Sequence, residues 1–124
     1  MKKAIIVLIV LFSTNLGAQN TIFTDSALMN IIELGIGQIY NYEFTEAEQL
    51  YNELKSEHPT HPFCPLYYAI IIYWKHFPVT PESKYHELFT GYINQAINGA
   101  EELLDANEDD VEGIFLNLMS RMLL

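Results

Sequence analysis

The segment His58-Pro-Thr-His61-Pro-Phe-Cys64 holds residue types that bind zinc, set at three-residue steps. Imidazole nitrogen and thiolate sulfur both fit a tetrahedral zinc shell, and His76 or His86 would supply a fourth ligand. Pro59 and Pro62 restrict the loop, however, and structural zinc ligands usually come as two closely spaced pairs. The plainer expectation is two turn histidines beside a small buried cysteine. Asp105, Asn107 and Asp109 alternate like the opening of a calcium loop. Such a loop needs Gly at its sixth position and Glu at its twelfth; Asp110 and Leu116 stand there, so a solvated turn is expected instead. Cys64 with a nearby His is the obvious nucleophilic pair, but it heads the most apolar stretch of the chain, where a thiol is inert packing. Tyr67, Tyr68, Tyr73 and Trp74 could line a pocket for an apolar or glycan ligand; at helical spacing, core packing is the stronger expectation. The sequence therefore assigns no catalytic residue, metal or cofactor.

The elements that must position these residues read as helices, with no convincing strand. A first helix is predicted over Ser26–Tyr40, with Leu28, Ile31, Ile32, Gly35 and Ile39 on one face at helical spacing and Asp25 or Ser26 as its cap. A second is predicted from Thr45, with Thr45 and Glu48 forming a capping box and His58-Pro59 stopping it. Ala47, Leu50, Tyr51 and Leu54 make its apolar stripe. The third, about Pro62–Phe77, contains "LYYAIIIYW", apolar on every side. Such a helix is buried all round or lies in a membrane; it is too short to span, so it is expected at the centre. A fourth long helix is predicted from Pro81 to Ala106, with Thr80 as its cap and Pro81 in its first turn. Gly91 and Gly99 on it are candidates for close approach of a neighbouring backbone. A fifth begins near Asp109, where Glu108, Asp109, Asp110 and Glu112 suit a positive helix end. Val111, Ile114, Phe115, Leu118, Met119 and Met122 give it an apolar face that is expected to stand exposed.

Residues 1–18 follow the plan of a secretory signal: Lys2 and Lys3, nine apolar residues from Ala4 to Phe12, then a more polar stretch ending at Ala18. Nine apolar residues are fewer than a membrane span requires. Cleavage after Ala18, a short leader over 19–25 and an exported, periplasmic or extracellular location are expected. Loss of Lys2 and Lys3 leaves four Lys and Arg against sixteen Asp and Glu, a net charge of −12. That charge repels nucleic acid and disfavours anionic membrane surfaces, and no stable membrane insertion is expected after cleavage. Cys64 is the only cysteine, so no intrachain disulfide forms.

Helix pairs joined by short turns invite a search for a period. Leu34-Gly35 is followed by Ala47, Tyr51, Leu54 and Pro59. That spacing resembles the tetratricopeptide repeat, although Ile31 stands where that family usually has Trp and Gln38 where it has Tyr. Tyr68-Ala69 repeats Leu34-Gly35 at an offset of 34, and Ala96, Ala100, Leu103 and Glu108 repeat the second-helix positions at an offset of 49. The resemblance implies an all-α fold of antiparallel helix pairs stacked as a short solenoid: five helices over 26–124, with units at about 28–61, 62–110 with an insertion, and an incomplete 111–124. It also implies a non-catalytic scaffold that binds a protein or peptide in a groove between the first helices of its units. Asn30, Gln38 and Tyr42, polar positions off the apolar stripe, are the candidate contacts. The face of Val111, Phe115, Leu118 and Met122 is a candidate for self-association or for further repeats.

Overall fold

The computed structural model describes residues 25–124. The signal reading of 1–18, and all of the leader 19–25 except Asp25, lie outside the described residues. Five helices follow in order: α1 (Ser26–Tyr40), α2 (Phe44–Glu57), α3 (Phe63–Lys75), α4 (His86–Ala106) and α5 (Val111–Met122). The described residues contain no strand, and no helix among them is long and apolar enough to cross a membrane. Each helix packs on the next in sequence, and α3 also touches α5.

Local chemistry sets the helix ends. Asp25 caps α1, its Oδ1 accepting from the N–H of Ala27 at 3.0 Å and of Leu28 at 3.1 Å. At the far end, Glu43 N–H donates to the Gln38 carbonyl and Tyr42 N–H to that of Ile39. These are the two bonds of a Schellman cap. Its left-handed position is held by Tyr42, with φ at 64°, where glycine is usual. These bonds start α2 at Phe44, a residue earlier than predicted. The expected capping box is therefore not formed: Glu43 is the N-cap without a side-chain bond, Thr45 lies inside the helix, and the Glu48 carboxylate accepts instead from Lys75 Nζ at 2.7 Å. The start of α4 is also corrected. Ser83 N–H bonds to the Thr80 carbonyl, and Ser83 Oγ takes the Tyr85 N–H. Thr80 to Tyr85 thereby forms turns, with Pro81 among them, and α4 begins at His86. Likewise, α3 is shorter at both ends than predicted.

The all-round apolar character of α3 has a direct cause: two cores share it. Cys64, Tyr67 and Ile71 pack with Leu28, Ile32, Ile39, Ala47, Leu50, Tyr51 and Leu54 of α1 and α2. Leu66, Ala69 and Ile72 pack with Phe89, Ile93, Ala96, Ile97, Ala100 and Leu116 of α4 and α5. Burying each Leu or Ile contributes about 1.5–3 kcal/mol relative to exposure. Small residues allow the crossings. Gly99 seats α4 against Pro62, whose Cβ would lie 2.9 Å from an added methyl, whereas Gly91 has open space around it.

Gly35 is the tightest of these crossings. A methyl there would collide with the Tyr67 hydroxyl and lie 2.8 Å from Tyr67 Cζ and 2.9 Å from Leu50 Cδ2. The hydroxyl finds no hydrogen-bond partner among the described residues, and burial pushes the phenol up to about 12. Gly35→Ala is expected to destabilise the fold by about 1–3 kcal/mol through overpacking. Tyr67→Phe removes the atom in the way together with an unsatisfied buried group, and should be neutral or stabilising by up to about 1 kcal/mol. The two changes together should then cost less than their sum by more than about 0.5 kcal/mol in urea unfolding. The rescue stays partial because Cζ remains. Strict additivity would contradict this account of the crossing.

Candidate functional site

The zinc-type residues are each engaged in holding the turn between α2 and α3. Cys64 is buried, donates from Sγ to the His58 carbonyl at 3.4 Å, and is pushed up to about 11 by burial. A thiol so protonated is a poor nucleophile. His61 Nδ1 accepts from the Phe63 N–H at 3.1 Å, which caps α3 and fixes the tautomer, leaving the ring proton on Nε2. That nitrogen faces Oε1 of Glu112, a carboxylate only 3% exposed. His76 stacks flat on Tyr85 at 3.5 Å. Among the described residues, no group of three or more His, Cys, Asp or Glu is arranged to hold a metal ion.

The His61–Glu112 pair is the contact that sequence reading missed. The acidic run predicts Glu112 at the surface of the helix end; Asp110 serves there, its Oδ1 taking the Gly113 N–H at 2.7 Å. Glu112 instead turns inward with Gly113, Leu116 and Ser120. The usable signal was periodicity: those four residues share the face of α5 opposite its apolar stripe. Burial pushes the His61 imidazole below its ordinary range, against the pull of Glu112 toward the charged form.

The aromatic cluster does not converge on one pocket. Tyr67 belongs to the first core. Tyr68 stacks on Tyr51 at 4.4 Å and meets Tyr92 edge-on at 4.7 Å, while Tyr73 packs against Phe89 at 5.8 Å. Only Trp74, half exposed, opens to a hollow.

That hollow belongs to an apolar trough along α1, α3 and α5. One part, about 530 Å³, is lined by Ile36, Ile39, Tyr40, Tyr42, Ile70 and Trp74. The other, about 230 Å³, lies among Met29, Ile32, Phe63, Leu66, Phe115 and Met119, with Glu112 also in its lining. Ile36 and Ile70 line both parts, so the two lie side by side along α1 and α3. Of the three candidate contacts, Tyr42 lines the trough. Asn30 and Gln38 do not; Asn30 is exposed elsewhere on α1, and the Gln38 side-chain oxygen is buried without a hydrogen-bond partner among the described residues. A separate polar cleft of about 280 Å³ lies between the α2–α3 turn and α4, with Lys55, Gln95, Asn98 and Glu102 on its walls.

The outer face of α5 carries Val111, Ile114, Leu118 and Met122, exposed by 71%, 49%, 57% and 72%. Compared with known protein families, with curated proteins and with solved structures, the chain gives no match.

Proposed function

We propose that this chain is a non-catalytic, tetratricopeptide-like binding module, exported by its leader, that receives an apolar segment of a protein partner in the trough along α1, α3 and α5. Three observations support the stacked-repeat reading. The helices pack pairwise in chain order, small residues (Gly35 and Ala69) are buried at corresponding positions, and α3 is shared between two successive cores. The observation that carries the function is Tyr42. A bulky residue in the left-handed region costs about 1–2 kcal/mol, and strain of this kind concentrates at working sites. Here it holds an exposed ring in the lining of the trough, which Tyr40 and Trp74 also line.

Trp74 is the sole tryptophan, so its emission reports directly on the trough. The probe is an uncharged amphipathic peptide of about 18 residues with leucine at i, i+3, i+4 and i+7. It should shift Trp74 emission to the blue in a saturable way. Tyr42→Gly should raise the unfolding free energy by about 0.5–1 kcal/mol, the relief of strain outweighing the entropy of glycine, while weakening peptide binding severalfold. An unmoved Trp74 emission, or a Tyr42→Gly variant that is both less stable and equally competent to bind, would count against this reading.

A further inference from the structure

The trough has walls but no cations. Its lining includes no Lys or Arg, and its one charged side chain is Glu112. All four basic residues of 25–124 are engaged elsewhere. Lys75 pairs with Glu48 at 2.7 Å and Arg121 with Glu101 at 2.6 Å. Lys55 lies over the Tyr51 ring at 5.7 Å and Lys84 over Tyr85 at 5.0 Å. Two exposed acids neighbour its lining residues in the chain. Glu33 is exposed on the α1 edge that carries Met29 and Ile36, one turn from each, and the exposed Glu43 adjoins Tyr42. Over residues 25–124 as a whole, sixteen acidic residues stand against four basic ones.

Resting on the trough reading, we infer that the occupant is a basic amphipathic helix: leucine-type side chains on one face seated among Ile36, Ile70 and Trp74, and Lys or Arg along its borders facing Glu33 and Glu43. Two physical arguments select it over other apolar occupants. Complementary potentials raise encounter rates and reject like-charged competitors, so a second copy of this acidic chain is disfavoured here. Among the described residues the four Lys and Arg are engaged elsewhere, so cations that neutralise these carboxylates are best supplied by the occupant.

The experiment compares three peptides of about 18 residues by Trp74 emission on the full chain at low salt. The first two share the leucine face of the neutral probe and carry lysine or glutamate on the polar face. The third has the lysine composition with its sequence scrambled to abolish the apolar face. The lysine-faced peptide should bind about tenfold or more tighter than the glutamate-faced one, and this advantage should shrink on raising salt to about 0.5 M. The scrambled peptide should not saturate, and Ile36→Ser should weaken the lysine-faced peptide while Leu34→Ser, on the far side of α1, leaves it unchanged. Equal binding of lysine- and glutamate-faced peptides overturns the charge inference and leaves the trough reading standing. Saturable binding of the scrambled peptide shows that charge alone is read and also overturns it. Failure of every peptide to move Trp74 emission overturns the trough reading itself.

Discussion

His61→Ala is expected to destabilise the fold by about 1.5–3 kcal/mol, because a buried carboxylate loses the N–H that faces it. Glu112 is 3% exposed and its Oε1 meets His61 Nε2. The substitution also removes the Nδ1 acceptor from the Phe63 N–H, a capping loss of about 1 kcal/mol. Glu112→Gln keeps a side-chain oxygen for the Nε2 proton and should cost no more than about 1.5 kcal/mol. The double change His61→Ala with Glu112→Leu should recover all but the capping loss, since no carboxylate then remains buried. Urea unfolding of these variants separates the two roles of the histidine. If His61→Ala cost less than about 1 kcal/mol, the pair would have to be solvated and its role as a buried contact would be refuted.

The same pair makes stability depend on pH. Burial depresses His61 in the folded state, so between its ordinary titration near pH 6.5 and its lower folded value the unfolded chain binds a proton that the folded chain does not. Stability is then fully present above about pH 6.5 and falls as pH drops through that window. His61→Ala should flatten that fall. His76, lowered by burial and by Lys75 and Lys84, acts in the same sense and is untouched by the substitution, so part of the slope should remain.

How far the sequence disclosed this structure depends on the kind of signal. Helical spacing of apolar residues placed all five helices and the central position of α3, because the burial of a stripe is a property of period alone. The end points were less legible. Thr45 and Glu48 have the right types for a capping box, but the Schellman cap at Tyr42 already fixes where α2 begins. Pro81 suits a first helical turn and sits instead in turns built on Thr80 and Ser83. The site was legible only in pieces. Tyr42 reads as a polar contact from its type, whereas its left-handed backbone and its place in the trough lining arise from the cap that ends α1. Trp74 was read as one of four clustered rings, yet neighbours on a helix face different ways, and only this ring of the four reaches the trough. The His61–Glu112 pair joins residues 51 positions apart, and no local pattern encodes such a partner.

Leu116→Ala should cost about 2–5 kcal/mol, the range for truncating a buried leucine, since Leu116 is 1% exposed within the second core. Leu118→Ala should change stability by no more than about 0.5 kcal/mol, since Leu118 is 57% exposed. The contrast follows from register. Leu28, Ile32, Gly35 and Ile39 are buried on α1. Offsets of 34 lead to Pro62, Leu66, Ala69 and Tyr73, the first three buried and the last half-buried. A further 49 leads to Val111, Phe115, Leu118 and Met122, all exposed. At the first two sets a following helix, α2 or α4, closes over the stripe. On α5, Val111, Leu118 and Met122 of the corresponding stripe face outward while Phe115 lines the trough, and the helix is held by Gly113 against Leu103 and Leu104, by Leu116 and by the Glu112 pair. Leucine at 118 therefore contributes little to the isolated fold. A loss of more than about 1.5 kcal/mol on Leu118→Ala, growing with protein concentration, would show that another molecule covers the stripe in solution, and the small expected effect would then be wrong.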